Sequence, residues 1–134
     1  RMNLAEAIHA HWATSSELTA LLPASRFFTG APPDDQLPWA SLVGWRAAAD
    51  ERFPDGSRVE RVEATVEIHS AHVHHAEAAA EALRRRFDRA NLAMEGGDRI
   101  LACRCLKEEA LARAWGHWVF AVGLELMVHR AGSD

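Results

Sequence analysis

The sequence lacks the features that assign a chain to several common classes of protein. It has no tyrosine, only two cysteines, and no apolar run near the roughly 18 residues of a membrane-spanning helix. Its net charge of −4 is small and acidic, so nucleic-acid binding is not a property of the chain as a whole. We therefore expect one globular domain with neither a membrane nor a specific nucleic acid as its partner.

The two cysteines, Cys103 and Cys105, are poor candidates for a disulfide or a metal site. On a strand their backbones lie about 6.5–7 Å apart, near the upper limit for a disulfide. A single C-x-C without a second pair is also a weak zinc signature. We expect both cysteines to be reduced and to pack in the core.

Catalytic templates are absent from the sequence as well. No serine lies in a G-x-S-x-G setting, and no cysteine and histidine form a recognisable nucleophilic pair. Gly96 and Gly97 are too short a glycine stretch for a phosphate loop, and a strand rather than a helix is expected after them. We therefore expect neither an enzyme nor a bound cofactor.

Residues 62–94 carry the clearest structural signal, because their hydrophobic period changes from two to 3.6 and back. The alternating positions that predict a strand are Val62, Ala64, Val66 and Ile68. The helical stripe that follows consists of Ala76, Ala80, Leu83 and Phe87, and Leu92 and Met94 resume the alternation. This strand–helix–strand unit predicts an α+β fold.

The remaining segments predict a single α+β domain over residues 2–130. Its mostly antiparallel sheet has about four to six strands, with an N-terminal helix and one main amphipathic helix, over about residues 74–89, packed on one face. Arg1 precedes a methionine that we expect to be the initiator and is left out of the fold, and residues 131–134 are expected to be a flexible C terminus. A second short helix starts at Ser15 or Ser16 and ends before Pro23.

Two segments have less definite predictions. Residues 48–58 are polar and contain Pro54-Asp55-Gly56, which favours a flexible hairpin loop that joins two strands. Residues 107–114 contain both helix-favouring and strand-favouring patterns, and the sequence leaves the choice open.

The last strand, residues 115–130, has one continuous apolar face and one mixed face. The mixed face includes Val119 and Met127, which could meet a neighbouring subunit. Trp45 and Trp115 are further interface candidates, because tryptophan is enriched at binding hot spots. These positions are hypotheses about assembly.

Four histidines at the predicted strand–helix corner are the best candidates for metal ligands: His69, His72, His74 and His75. Imidazole is the commonest protein metal ligand, and Glu77 or His117 could complete a set. The spacing matches no known metal motif, and polar residues are expected at an exposed corner in any case. A solvated corner is therefore the preferred interpretation.

A dense basic group lies near the end of the main helix, where Arg85 and Arg89 would align one turn apart. Cations at a helix C-terminus are favoured by the helix dipole, so a structural role is the simplest interpretation. A charged subunit interface through these two residues is the second. Nucleic-acid contact by residues 84–89 is the third.

The order of these elements resembles the tail terminator, or tail completion, family of long-tailed bacteriophages and related gene transfer agents. The similar passages are LTALL at 18–22, RFFTGAPP at 26–33 and LPWASL at 37–42, followed by the alternating strand at 63–70, the helix at 76–87 and the closing strand at 116–127. The loop at 48–58 and the histidine corner have no counterpart in that pattern.

The resemblance implies a structural protein that is not an enzyme. It implies a homo-oligomeric ring, a hexamer in this family, that caps the finished tail tube and joins it to the head–tail connector protein. It also implies synthesis in the bacterial cytoplasm and incorporation into a phage or phage-like particle. The alternative from the residues alone is a small metal-binding domain built on the four corner histidines.

Overall fold

The computed structural model describes residues 4–114 and 116–132. Trp115, one of the interface candidates, lies outside the described residues. Three helices and six strands follow one another along the chain: α1 (Leu4–Ala13), α2 (Ser16–Leu21), β1 (Phe27–Thr29), β2 (Trp39–Arg52), β3 (Arg58–Ser70), α3 (Val73–Phe87), β4 (Leu92–Ala93), β5 (Arg99–Ala114) and β6 (His117–Arg130). Short 3₁₀ turns at Ala24–Arg26 and Glu95–Gly97 connect them.

The six strands form one sheet in the order β1-β2-β3-β6-β5-β4. β1 pairs with β2 in parallel, and every other described pairing is antiparallel. The predicted α+β class, with a mostly antiparallel sheet, is therefore confirmed.

The strand–helix–strand unit forms as the two periods predict. Val62, Ala64, Val66 and Ile68 are all buried on one side of β3. The α3 stripe, which consists of Ala76, Ala80, Leu83 and Phe87, is buried as well and belongs to the same core. Full burial of an apolar side chain such as Phe87 stabilises the fold by about 1.5–3 kcal/mol.

The first two helices are held together by specific hydrogen bonds. The Trp12 indole Nε1 donates to the Leu22 carbonyl at 3.1 Å, which satisfies the only polar atom of a fully buried side chain. Ser15 caps α2 by accepting a bond from the Leu18 amide at 3.1 Å. The predicted short helix before Pro23 is confirmed.

The main helix ends earlier than predicted, and the predicted alignment of Arg85 with Arg89 one turn apart on its surface is wrong. Asp88 is the C-cap of α3 and has an extended backbone. Arg89 follows with a φ of 67°, and its amide donates to the Cys103 carbonyl at 2.6 Å. The chain has therefore left the helix to reach β5 before Arg89.

The predicted hairpin connection is present, but the prediction that its loop spans residues 48–58 is wrong. β2 continues to Arg52 and β3 starts at Arg58, so a short turn closes a long two-stranded hairpin. The Phe53 amide donates to the Ser57 carbonyl at 2.9 Å, and Gly56 takes a φ of 88°. Both strands of this arm carry polar side chains because the arm is exposed, which explains why the sequence pattern favoured a loop.

Residues 107–114, whose prediction was open, form the C-terminal part of β5 and pair with β6. Cys103 and Cys105 lie on β5 as free cysteines that pack in or against the core. Burial raises the pKa of Cys103 to about 12 and that of Cys105 to about 11, so both thiols stay protonated at neutral pH.

Candidate functional site

The helices cover one face of the sheet, and the candidate functional surface is the opposite face, which we call the outer face. It consists of the side chains that alternate with the core residues along β2, β3 and β6. The alternation places Thr65 and Glu67 of β3 there, together with Gly123 and Met127 of β6. Of the residues that the sequence selected as candidates for assembly, Val119 and Met127 lie on this face.

A shallow groove of about 420 Å³ crosses the outer face. It extends from Gly44 and Arg46 on β2 to Leu106 on β5, because Thr65 and Gly123 between them are small. Arg46 and Glu63 form an ion pair of 2.7 Å at its rim. The groove is open and carries one exposed ion pair, which suits a contact surface better than a site for chemistry.

Large apolar side chains are unusually exposed along this part of the sheet. Trp45 is 38% exposed, Met127 is 42% and Leu106 is 48%. Trp45 and Met127 are therefore available to a partner, as the interface hypothesis requires. Val119 is only 2% exposed, so it contributes almost no surface to the isolated subunit.

One end of the outer face holds a buried histidine pair. His69 Nδ1 lies 2.7 Å from His117 Nε2, and His69 Nε2 lies 3.4 Å from Glu67 Oε1. Both rings are largely buried, and the Trp39 indole stacks on the His69 imidazole at 3.6 Å between centroids. Burial lowers the pKa of His69, while the contact with Glu67 acts in the opposite direction.

The two imidazoles form a chain of hydrogen bonds. The His69 Nε2–H can donate to the Glu67 carboxylate, and its Nδ1 can accept from the His117 Nε2–H. Each ring nitrogen in this chain of bonds then has a partner. The pair therefore joins β3 to β6 and packs against Trp39 of β2.

The four candidate metal ligands do not converge. His75 is held between the Ser70 hydroxyl and the Leu21 carbonyl, at 3.0 Å and 2.6 Å. The side chain of His74 is 94% exposed and lies 3.8 Å from Glu77, and His72 is exposed. Among the side chains that the structure describes, no three histidine, cysteine or acidic groups are placed to share a metal ion.

The arginines of α3 bind the other helices. Arg85 contacts Glu17 of α2 at 2.5 Å. Arg86 Nε donates to the His11 carbonyl at 3.1 Å, and its Nη2 donates to Thr14 Oγ1 at 2.7 Å. These contacts favour the structural interpretation of the basic group. Arg89 is exposed beyond the helix end.

A half-buried cluster of ion pairs, which the sequence did not reveal, anchors the end of β6. Arg130 Nε lies 2.7 Å from Glu60 Oε1, and its Nη1 lies 3.2 Å from Asp98 Oδ2. Asp98 Oδ1 also accepts from the Ala131 amide at 2.9 Å. These three side chains come from β3, β6 and the turn before β5, so only their pairing in the sheet brings them together.

Comparison with known proteins decides which family this architecture represents. The family model described as "Tail completion protein gp17" matches residues 6–122. The chain belongs to the tail completion protein family. Its fold is also similar to that of a chain in a structure titled "Virion of native gene transfer agent (GTA) particle", with a TM-score of 0.80 and 18% identity over 95% of both chains.

The tail completion family consists of phage-type tail structural proteins, so a role in virion assembly follows for this member. No curated protein sequence matches this tail completion protein. None of the helices in the described part of the chain has the length and apolar character needed to cross a membrane.

Proposed function

We propose that this tail completion protein is a non-enzymatic ring subunit that caps the finished tail tube and joins it to the head connector. The observation that carries the proposal is the family match over residues 6–122, which covers α1 from Glu6 onward, α2, α3, the first five strands and β6 as far as Val122. A rigid sheet with one helix-covered face and one bare face supports it, because such a subunit can present two different surfaces.

A closed ring needs two different contact surfaces on each subunit. Successive subunits in a cyclic ring contact one another head to tail, so the two contacting patches must differ. Trp45 on β2 and Met127 on β6 provide exposed apolar surface for such contacts. By family resemblance the ring is a hexamer, and its other partners are the tail tube protein and the head–tail connector protein.

A structural role is also supported by the state of the reactive side chains. The thiols of Cys103 and Cys105 have raised pKa values. His69 and His117 are buried, and their imidazoles are hydrogen-bonded to each other. A steric and interfacial mechanism needs none of these groups to react. Synthesis in the bacterial cytoplasm, followed by addition to the tail end, completes the proposal.

Sedimentation analysis and electron microscopy together test the proposal. The purified protein should form a closed oligomer, either alone at high concentration or on the ends of tail tubes assembled from the tail tube protein. Trp45→Ala should weaken assembly, whereas His74→Ala, at a fully exposed helix position, should not. A protein that stays monomeric and leaves tube ends bare would contradict the proposal.

A further inference from the structure

β2 has a free edge along its outer part. It pairs with β3 from Trp39 to Arg52, but β1 covers its other side only at Ala40, Ser41 and Leu42. No strand in the described part of the chain covers that side over residues 43–52. At about 3.3 Å per residue, this leaves roughly 30 Å of backbone available for pairing.

β5 has a free edge at the other end of the strand order, near the opposite edge of the sheet. β4 covers it only at Arg99 and Ile100. The Arg89 amide and the side chains of Asp88 and Asn91 then bond its backbone as far as Cys105. Beyond that point, no described strand pairs with the outer side of residues 106–114, a length of roughly 30 Å as well.

The directions of the two free strands are compatible with pairing between copies. β2, β3, β6 and β5 alternate in direction, so β2 and β5 run antiparallel to each other. A second copy related by rotation about a ring axis keeps its strand directions. Its β2 would therefore meet β5 of the first copy antiparallel, and the alternation would continue across the contact.

The two free edges lie at different heights along the sheet. Residues 43–52 lie level with the second half of β6, and residues 106–114 lie level with its first half. Pairing them shifts neighbouring copies by roughly 20 Å along the strands. A closed sheet accommodates such a stagger by tilting its strands relative to the axis, as β-barrels do.

The composition of the edges permits close approach. Residues 43–52 contain two arginines and two acidic residues, and residues 106–114 contain one lysine, one arginine and two glutamates, so neither edge has a net charge. Neither contains proline, the residue that most directly blocks strand addition. Register shifts in both edges bend the strands, as bulges do at the rims of barrels.

From these observations we infer that residues 43–52 of one copy pair antiparallel with residues 106–114 of a second copy, joining the sheets of neighbouring subunits. The inference rests on the proposed ring and names the contact that closes it. Backbone hydrogen bonds provide the attraction, and the offset between the edges sets the tilt of each subunit.

Proline and serine variants at register shifts test the pairing. Ala48 lies between the pairs Ala47–Val62 and Ala49–Arg61 and has no partner in β3. On β5, Ala112 and Arg113 both lie between the pairs Leu111–Val119 and Ala114–His117, where β6 has a single residue. Ala48→Pro and Ala112→Pro remove an N–H at an edge bulge, where proline is tolerated. Ala48→Ser and Ala112→Ser keep it and are the matched controls.

Sedimentation and amide hydrogen exchange provide the measurements, with assembly observed either in free solution or on tail tubes. Each proline should weaken assembly at least about tenfold with little change in the monomer's melting temperature, and each serine should leave assembly intact. In the wild type, amides of residues 43–52 and 106–114 should exchange at least about tenfold more slowly in the assembly than in the monomer.

The outcomes separate this inference from the function on which it rests. Assembly with unchanged exchange at both edges, or full assembly of both folded proline variants, overturns the edge pairing and leaves the ring standing. Failure of the wild type to assemble under either condition overturns the ring and the pairing together. If a proline variant is unfolded, the exchange comparison on the wild type decides.

Discussion

The buried carboxylate of Asp98 provides the sharpest test of how this fold is held together. Its side chain is fully buried and accepts bonds from the Arg130 guanidinium at 3.2 Å and from the Ala131 amide at 2.9 Å. Asp98→Asn can keep the bond from the Ala131 amide but removes the charge that faces Arg130. Asp98→Ala removes both bonds.

The magnitudes follow from the two bonds. A hydrogen bond between charged groups contributes about 1.5–3 kcal/mol, and a bond to a backbone amide contributes about 1 kcal/mol. Arg130 keeps Glu60 as a partner and is partly exposed, which limits the cost of losing Asp98. We therefore expect Asp98→Asn to reduce the free energy of unfolding by about 1–2 kcal/mol and Asp98→Ala by about 2–4 kcal/mol.

Urea unfolding of the monomer, combined with a double-mutant cycle, measures these effects. The cycle uses Asp98→Asn, Arg130→Met and both together, and should give a coupling energy of about 1–2 kcal/mol. Glu17→Gln, at the exposed pair with Arg85, is the control and should change stability by less than about 1 kcal/mol. A coupling energy indistinguishable from zero would refute the role given to this cluster.

Three further predictions concern the core and its titratable groups. Because burial lowers the pKa of His69, the unfolded chain binds more protons in acid, so the contribution of His69 to stability should be constant above about pH 6.5 and fall as the pH drops towards the lowered value. Urea titrations at several pH values should show a shallower fall in stability for His69→Gln than for the wild type, and an equal fall would contradict this. Cys103 and Cys105 should react with a thiol reagent at pH 8 only as the protein unfolds, and a rate like that of a free thiol would contradict their raised pKa values. Phe87→Ala should lower the free energy of unfolding by about 3–5 kcal/mol, with Phe53→Ala at the exposed hairpin tip as a near-neutral control.

The elements predicted correctly from the sequence are those whose signal is local. β3 and α3 each bury a stripe that recurs at the period of its own backbone, so neighbouring residues report the structure. Ser15 and Pro23 bound α2 through contacts within a few residues. The resemblance to tail completion proteins came from the order of such elements and was confirmed by the family match.

The predictions from the sequence that were wrong concern contacts between segments that are distant along the chain. The arm of β2 and β3 is polar on an exposed hairpin, and only pairing between its two strands shows that it is not a loop. Arg89 leaves the helix because its amide bonds the Cys103 carbonyl of β5. In both cases the structure depends on a strand that is distant in the sequence, and the local residue pattern does not show which strand that is.

The sequence by itself determined the fold class and the core stripes, because hydrophobic period is a property of short segments. It also indicated the family, because the order of those segments along the chain can be obtained without knowing how they pack. Only the tertiary structure decided which polar groups meet. It separated His69 from the other corner histidines, joined it to His117, and assembled Asp98 with Glu60 and Arg130. It also left β2 and β5 with uncovered edges, since strand order and register depend on pairing between residues far apart in the chain.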